Sequence, residues 1–211
     1  SAAFAELVRL VASFPARGEP FRDGNGPELL LIPGGRLSGF AAPFAVTRFE
    51  ITRAEYLRFA QASGRKPASC RDAGRAWSWP TPGFEQSGAD PVVCVSHADA
   101  VAYANWMSQQ SGRVYRLPTL AEWNALAAAA RSESCGNLRG ENPRCQDSYR
   151  QTAPVGRFLQ GKERDPSGRI CVGRFVAGTG WRDAEADRNA QAEEEDTAAV
   201  DRGFRLVREI R

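Results

Sequence analysis

Histidine is almost absent from this chain: its 211 residues include one, His97. Its five cysteines, Cys70, Cys94, Cys135, Cys145 and Cys171, contain no Cys-x-x-Cys pair. A structural zinc site takes four Cys or His ligands at short spacings, so a Cys/His zinc site is poorly supported. An excess of charge of one sign is lacking too, with 28 Lys and Arg against 25 Asp and Glu, a net +3. That balance leaves no electrostatic footprint for nucleic acid or for an anionic membrane. No apolar run approaches the roughly 20 residues of a bilayer span, so no membrane insertion is expected of this stretch. Ser1-Ala2-Ala3 leads straight into a charged amphipathic stretch, without a signal-peptide pattern. The missing initiator Met reads as a fragment of a longer protein.

What is present is a chain able to fold. At 42% hydrophobic it can bury a core. Phe4, Leu7, Val8 and Val11 mark one helical face over residues 3–14. "FRDGNG" breaks that pattern with turn residues. "PELLLIPGG" reads as a short buried strand, and "FAVTRFEI" as a second. Three helices then begin in the same way. Thr52 precedes Glu55, Ser96 precedes Asp99 and Thr119 precedes Glu122, each a hydroxyl N-cap with an acid three residues on. Apolar stripes follow each cap: Tyr56, Phe59 and Ala60; Ala100, Tyr103, Ala104 and Met107; Trp123, Leu126, Ala127 and Ala130.

The connection between the first two helices is long and holds Trp77, Trp79 and Phe84 among Pro and Gly. Long loops with their own aromatic residues are more often packed or functional than floppy. Regular periodicity ends after residue 131. "ICVGRFVAG" and "RGFRLVRE" then look like strands, with the acidic "QAEEED" between them. The last strand needs sheet partners from earlier in the chain, so one globular unit over 27–211, with residues 1–26 as N-terminal helix and lead-in, is the simpler reading. Cys135 and Cys145 flank a loop rich in Gly, Asn and Pro where a short disulfide fits, buried free thiols being the alternative. Cys70 lies in the aromatic loop and Cys94 at its far end, and a bridge between them would close it. The odd cysteine is left unpaired or paired elsewhere.

The stretch "PVVCVSHADAVAYANWMSQQSGRVYRLPTLAEWNALA" resembles the central signature of the formylglycine-generating enzyme (sulfatase-modifying factor) family. "ELLLIPGG", "VTRFEITRAEYLRFAQASG", "GTGWRD" and "DRGFRLVR" resemble further segments of that family in the same order, over roughly residues 27–208. The resemblance implies an α+β, C-type lectin-like fold of the formylglycine-generating type: a small antiparallel sheet, flanking helices and much irregular chain.

The departures bear on chemistry. Family oxidases carry a copper-binding cysteine pair before the closing strand, and here "WRDAEADRNAQAEEEDTAAVDRGFR" has no Cys. Cu(I) takes soft thiolates, and Asp183, Asp187 and Glu193 are hard oxygen donors. The iron-dependent branch needs several histidines. His97 takes the family's Trp position at a helix start, where packing or capping is the expected role. No nucleophile–base pair is visible, so the chain reads as no enzyme. The family's Gly-Asn-Val-Trp-Glu-Trp segment is replaced by "LQGKERDPSGRI", which removes one of two calcium sites. For the other site the resemblance implies a structural Ca²⁺ held by Asn137, Leu138, Asp147 and Tyr149, all oxygen donors. A metal-free loop stapled by Cys135 and Cys145 is the alternative.

The expected function is a non-catalytic extracytoplasmic sensor or protein-binding domain. "SFPARGEPFRDGNGPELLLIPGG" resembles the lead-in by which such domains join bacterial Ser/Thr kinases and type VI secretion regulators, and the cysteines suit the periplasm or cell exterior. A protein partner is expected, with a small-molecule ligand as the other class. Arg182, Asp183, Arg188, Asn189 and Glu193 are the candidate contacts on the face before the closing strand. A solvated acidic loop is the alternative for the Glu run, and Trp181 reads as core. The rival functions are an oxidase with altered chemistry and a variable ligand-binding protein of a diversity-generating retroelement.

Overall fold

The fold is that of a computed structural model, which describes residues 19–35, 40–72, 74–129, 149, 151–156, 169–172, 175–178, 191–192 and 197–210. The helix expected over residues 3–14 lies outside them. Strand β1 (Leu29–Ile32) pairs antiparallel with β2 (Phe44–Thr47), Leu29 opposite Thr47. Helix α1 (Arg53–Ser63) follows, then a two-stranded hairpin of β3 (Cys70–Asp72) and β4 (Arg75–Trp77). Helix α2 (His97–Ser111), strand β5 (Tyr115–Arg116) and helix α3 (Leu120–Ala129) come next. Strands β6 (Arg169–Val172), β7 (Phe175–Gly178), β8 (Gln191–Ala192), β9 (Arg202–Gly203) and β10 (Val207–Glu209) complete the order.

The closing strand β10 lies inside the first sheet, between β2 and β5, in the order β1-β2-β10-β5. A second sheet has the order β8-β7-β6-β9, with β6 and β9 parallel. This is the α+β arrangement expected, with two corrections. "RGFRLVRE" is not one strand: Arg202–Gly203 is β9, in the second sheet, and Val207–Glu209 is β10, in the first. "ICVGRFVAG" is two antiparallel strands, not one, with Val172 paired to Phe175. The sequence between them is Gly-Arg, a Gly-x pair, and that hairpin signal outranks the apolar run around it. In the lead-in, Phe21 pairs with Leu29 through backbone bonds of 2.8 and 3.0 Å.

The helices start where the caps place them. Thr52 and Ser96 each form a full capping box with Glu55 and Asp99. Thr119 does the same: its N–H donates to Glu122 at 2.7 Å, and its hydroxyl accepts from the Glu122 N–H at 3.2 Å. Helix α2 ends at Gly112 with φ 65°, the left-handed geometry that a side chain resists. In α1 and α2 the buried faces are the predicted stripes; in α3 Trp123 is buried and Leu126 partly so, while the side chains of Ala127 and Ala130 lie outside those described. Tyr56 and Phe59 of α1 meet Tyr103 of α2, Trp79 of the loop and Phe204 before β10, with ring centroids 5.2–6.3 Å apart. Such ring pairs add about 0.5–1.5 kcal/mol each beyond their area burial. A partly buried ion pair joins the two helices: Arg65, past the end of α1, reaches the buried α2 capping acid Asp99 at 2.5 Å.

The segment from Tyr115 to Trp123 combines these devices. Tyr115 and Leu117 are buried, Arg116 faces the other way, and Thr119 starts α3 so that Trp123 packs inward. Arg116 grips Glu122 with two parallel bonds of 2.7 and 2.8 Å. Burial pushes the Glu122 carboxyl up, but the Arg116 guanidinium and the Thr119 donors outweigh it and hold it below the usual carboxylate range. The folded value is therefore the depressed one. Its stabilisation is full above the unfolded carboxyl value, near about 4.3, and is lost as pH falls through the lower folded value. Glu122→Gln is expected to cost roughly 1.5–3 kcal/mol at neutral pH, the worth of hydrogen bonds to a charged group. It should also flatten the acid limb of stability. Urea melts of both proteins from neutral pH to pH near 2 check this, and parallel acid limbs would refute it.

Candidate functional site

The residues between α1 and α2 form the least regular part of the described chain, and they enclose a cleft of about 310 Å³. A disulfide between Cys70 and Cys94, 24 residues apart, closes this loop at its base, with both sulfur-bearing residues buried. Hairpin β3–β4 rises from Cys70. Its register sets Cys70 opposite Trp77 and Asp72 opposite Arg75. Side chains alternate along a strand and opposed residues share a face, so Cys70, Asp72, Arg75 and Trp77 lie on one side of the hairpin. Cys70 is spent on the disulfide, and the other three line the cleft.

The second wall comes from Pro82, Gly83 and Phe84. Gly83 has φ 93°, and a Cβ there would stand 2.8 Å from the Trp77 ring. Only glycine permits both that backbone geometry and the approach of the indole. Arg53 of α1 holds this wall in place, donating to the carbonyl of Pro80 at 2.6 Å and of Gln86 at 3.0 Å. Gln151 arrives from a distant segment. The amide of Gln86 donates to Thr152 at 3.0 Å, and Val155 donates to the Ala89 carbonyl at 2.9 Å, which together dock residues 151–155 on the loop.

The cleft therefore has aromatic walls and a rim with one cation, one carboxylate and one amide. Arg75 is exposed and forms no ion pair among the described residues. Nothing in it combines a nucleophile with a base. Its aromatic walls and polar rim are the features of a binding cleft.

Of the aromatic residues noted in the sequence, Trp77 and Phe84 belong to the cleft and Trp79 to the core, 7% exposed. His97 opens α2 directly behind the Ser96 cap and is partly buried. Tyr149 is described and half-buried, while its expected companions Asn137, Leu138 and Asp147 lie outside the described residues, as do Cys135 and Cys145. Arg182, Asp183, Arg188, Asn189 and Glu193 also lie outside them. Among the described residues no helix is long and apolar enough to cross a membrane. Asp72, Arg75 and Gln151 were not singled out from the sequence. The alternation of "CRD" and "RAW" about Gly74 signals the first two, and nothing local signals Gln151.

A family model described as the sulfatase-modifying factor enzyme 1-like domain matches residues 19–163. No curated protein matches by sequence. Among solved structures, PvdO from Pseudomonas aeruginosa is similar at TM-score 0.78 and 23% identity, over 93% of this chain and all of that one. CarF is similar at TM-score 0.52 and 22% identity, over 81% of this chain and 88% of that one. Treponema denticola variable protein 1 is similar at TM-score 0.58 and 13% identity, over 90% and 98% respectively. At these identities the likeness is one of fold.

Proposed function

The chain belongs to the family of sulfatase-modifying factor enzyme 1-like domains, and from that premise we propose that it is a non-catalytic member serving as a recognition domain outside the cytoplasm. On this reading it is a sensor or protein-binding module of a bacterial signalling or type VI secretion regulatory protein. One observation carries the proposal: residues 172–211 contain no cysteine, so the thiolate pair of the family's oxidases has no counterpart before the closing strand. The Cys70–Cys94 disulfide supports the compartment, since such bonds persist in the periplasm and cell exterior and are rare in the cytosol. The cleft supports binding over turnover, because its lining holds no nucleophile–base pair.

The test is direct. The protein, supplied with Cu(I), oxygen and a sulfatase-type cysteine peptide, is expected to leave the peptide mass unchanged and to bind no stoichiometric copper. Aldehyde formation above an enzyme-free control would overturn the reading and favour an oxidase with altered chemistry.

A further inference from the structure

We propose that the cleft between Trp77 and Phe84 binds a small ligand carrying a planar ring and a carboxylate. This goes further than the recognition reading and stands whether or not the domain is catalytic. The volume comes first. A cleft of about 310 Å³ lies at the low end of ligand sites, which run from about 300 to 1,000 Å³. At roughly 30 Å³ per water it has room for about ten waters, which suits a small molecule or one side chain and not a polymer.

The walls select a ring. Trp77 and Phe84 present aromatic surface, and Gly83 keeps the indole seated against the backbone, so this wall is formed before any ligand arrives. A wall already in place costs little ordering on binding. The rim selects the charge. Arg75 sits at the open tip of the hairpin, exposed and without an ion pair among the described residues. A guanidinium fork matches a carboxylate with two parallel hydrogen bonds. Asp72 stands opposite Arg75 in the hairpin, so the rim carries one charge of each sign and suits a single carboxylate better than a polyanion. An ammonium ligand would also find aromatic walls, but Asp72 already has a partner, whereas Arg75 is exposed and has no ion pair among the described residues, so the charge left to a ligand is the cation. Gln151 adds a neutral donor and acceptor on the remaining side.

Phenylacetate, phenylacetamide and choline are the probes, read by calorimetry and by quenching of tryptophan fluorescence. Phenylacetate is expected to saturate at millimolar concentrations. The amide should bind at least about tenfold more weakly, the loss of one charged hydrogen-bond partner. Arg75→Gln should bring the acid down to the level of the amide without moving the melting temperature, since Arg75 is exposed. Gly83→Ala, whose new methyl would press on Trp77, should weaken acid and amide alike. Failure of phenylacetate to saturate, equal binding of the amide, a preference for choline, or unchanged binding in Arg75→Gln would each overturn the proposal. Turnover of a cysteine peptide would remove the recognition reading and leave this site standing; loss of phenylacetate binding would do the reverse.

Discussion

Asp23→Ala is expected to destabilise the domain by about 3–5 kcal/mol, the cost of removing one partner from a buried ion pair. Asp23 lies in the lead-in, yet its carboxylate meets two elements of the first sheet. Tyr115 of β5 donates its hydroxyl to it at 2.7 Å, and Arg208 of β10 donates at 3.0 Å. Arg208 is 7% exposed at its side chain, so removal of Asp23 leaves a guanidinium in the interior without an ion-pair partner among the described residues. Burial, and then the bond to Asp23, push the Tyr115 hydroxyl above the usual tyrosine range, so it stays protonated and donating. Asp23→Asn keeps an acceptor for both donors and should cost clearly less than the alanine. Urea unfolding at neutral pH measures both. A cycle with Tyr115→Phe should show coupling of at least about 0.5 kcal/mol, as contacting residues do. Two variants within error of the wild type would mean that the lead-in adds nothing to the fold.

The second large effect concerns the loop that builds the cleft. Replacing Cys70 and Cys94 together by alanine is expected to cost about 3.5 kcal/mol in the chain-entropy model for a closed loop of this length. Cys94 carries a second, separable term. Its φ is 56°, the only positive value at a non-glycine residue among those described. An L side chain in that region costs of order 1–2 kcal/mol. In the Cys70→Ala background, Cys94→Gly should therefore be more stable than Cys94→Ala. Chemical denaturation of the wild type with and without reductant, beside the two double variants, separates the terms. If reduction leaves the midpoint unchanged, or if alanine equals glycine at position 94, the disulfide does not hold the loop in this way.

The cleft shows how legibility ran out within one segment. Trp77, Trp79 and Phe84 were visible as aromatic residues in a long loop, but nothing in their order says that Trp79 is buried in the core while Trp77 and Phe84 pack only partly buried on its edge. Trp77 is opposite Cys70 in the hairpin and lines the cleft, while Trp79, past the end of β4, packs 5.2 Å from Tyr56. Gln151 was invisible for a stronger reason. It reaches the cleft because Gln86 holds Thr152 across 66 positions of sequence and Val155 bonds to Ala89.

By itself the sequence determined the three capped helices, the buried stripes of the first two, the strands around Leu29 and Phe44, the family, and the loss of the thiolate pair. These are local matters: a cap and its acid lie three residues apart, a helical face repeats every few residues, and a missing cysteine is missing in any fold. Only the tertiary structure decided that β10 lies between β2 and β5, that "ICVGRFVAG" folds back on itself, and that Asp23 is bound to Tyr115 and Arg208, 92 and 185 positions away. A short strand pairs with whichever edge the packed helices leave open, and a single carboxylate finds its cations only once distant segments are brought side by side.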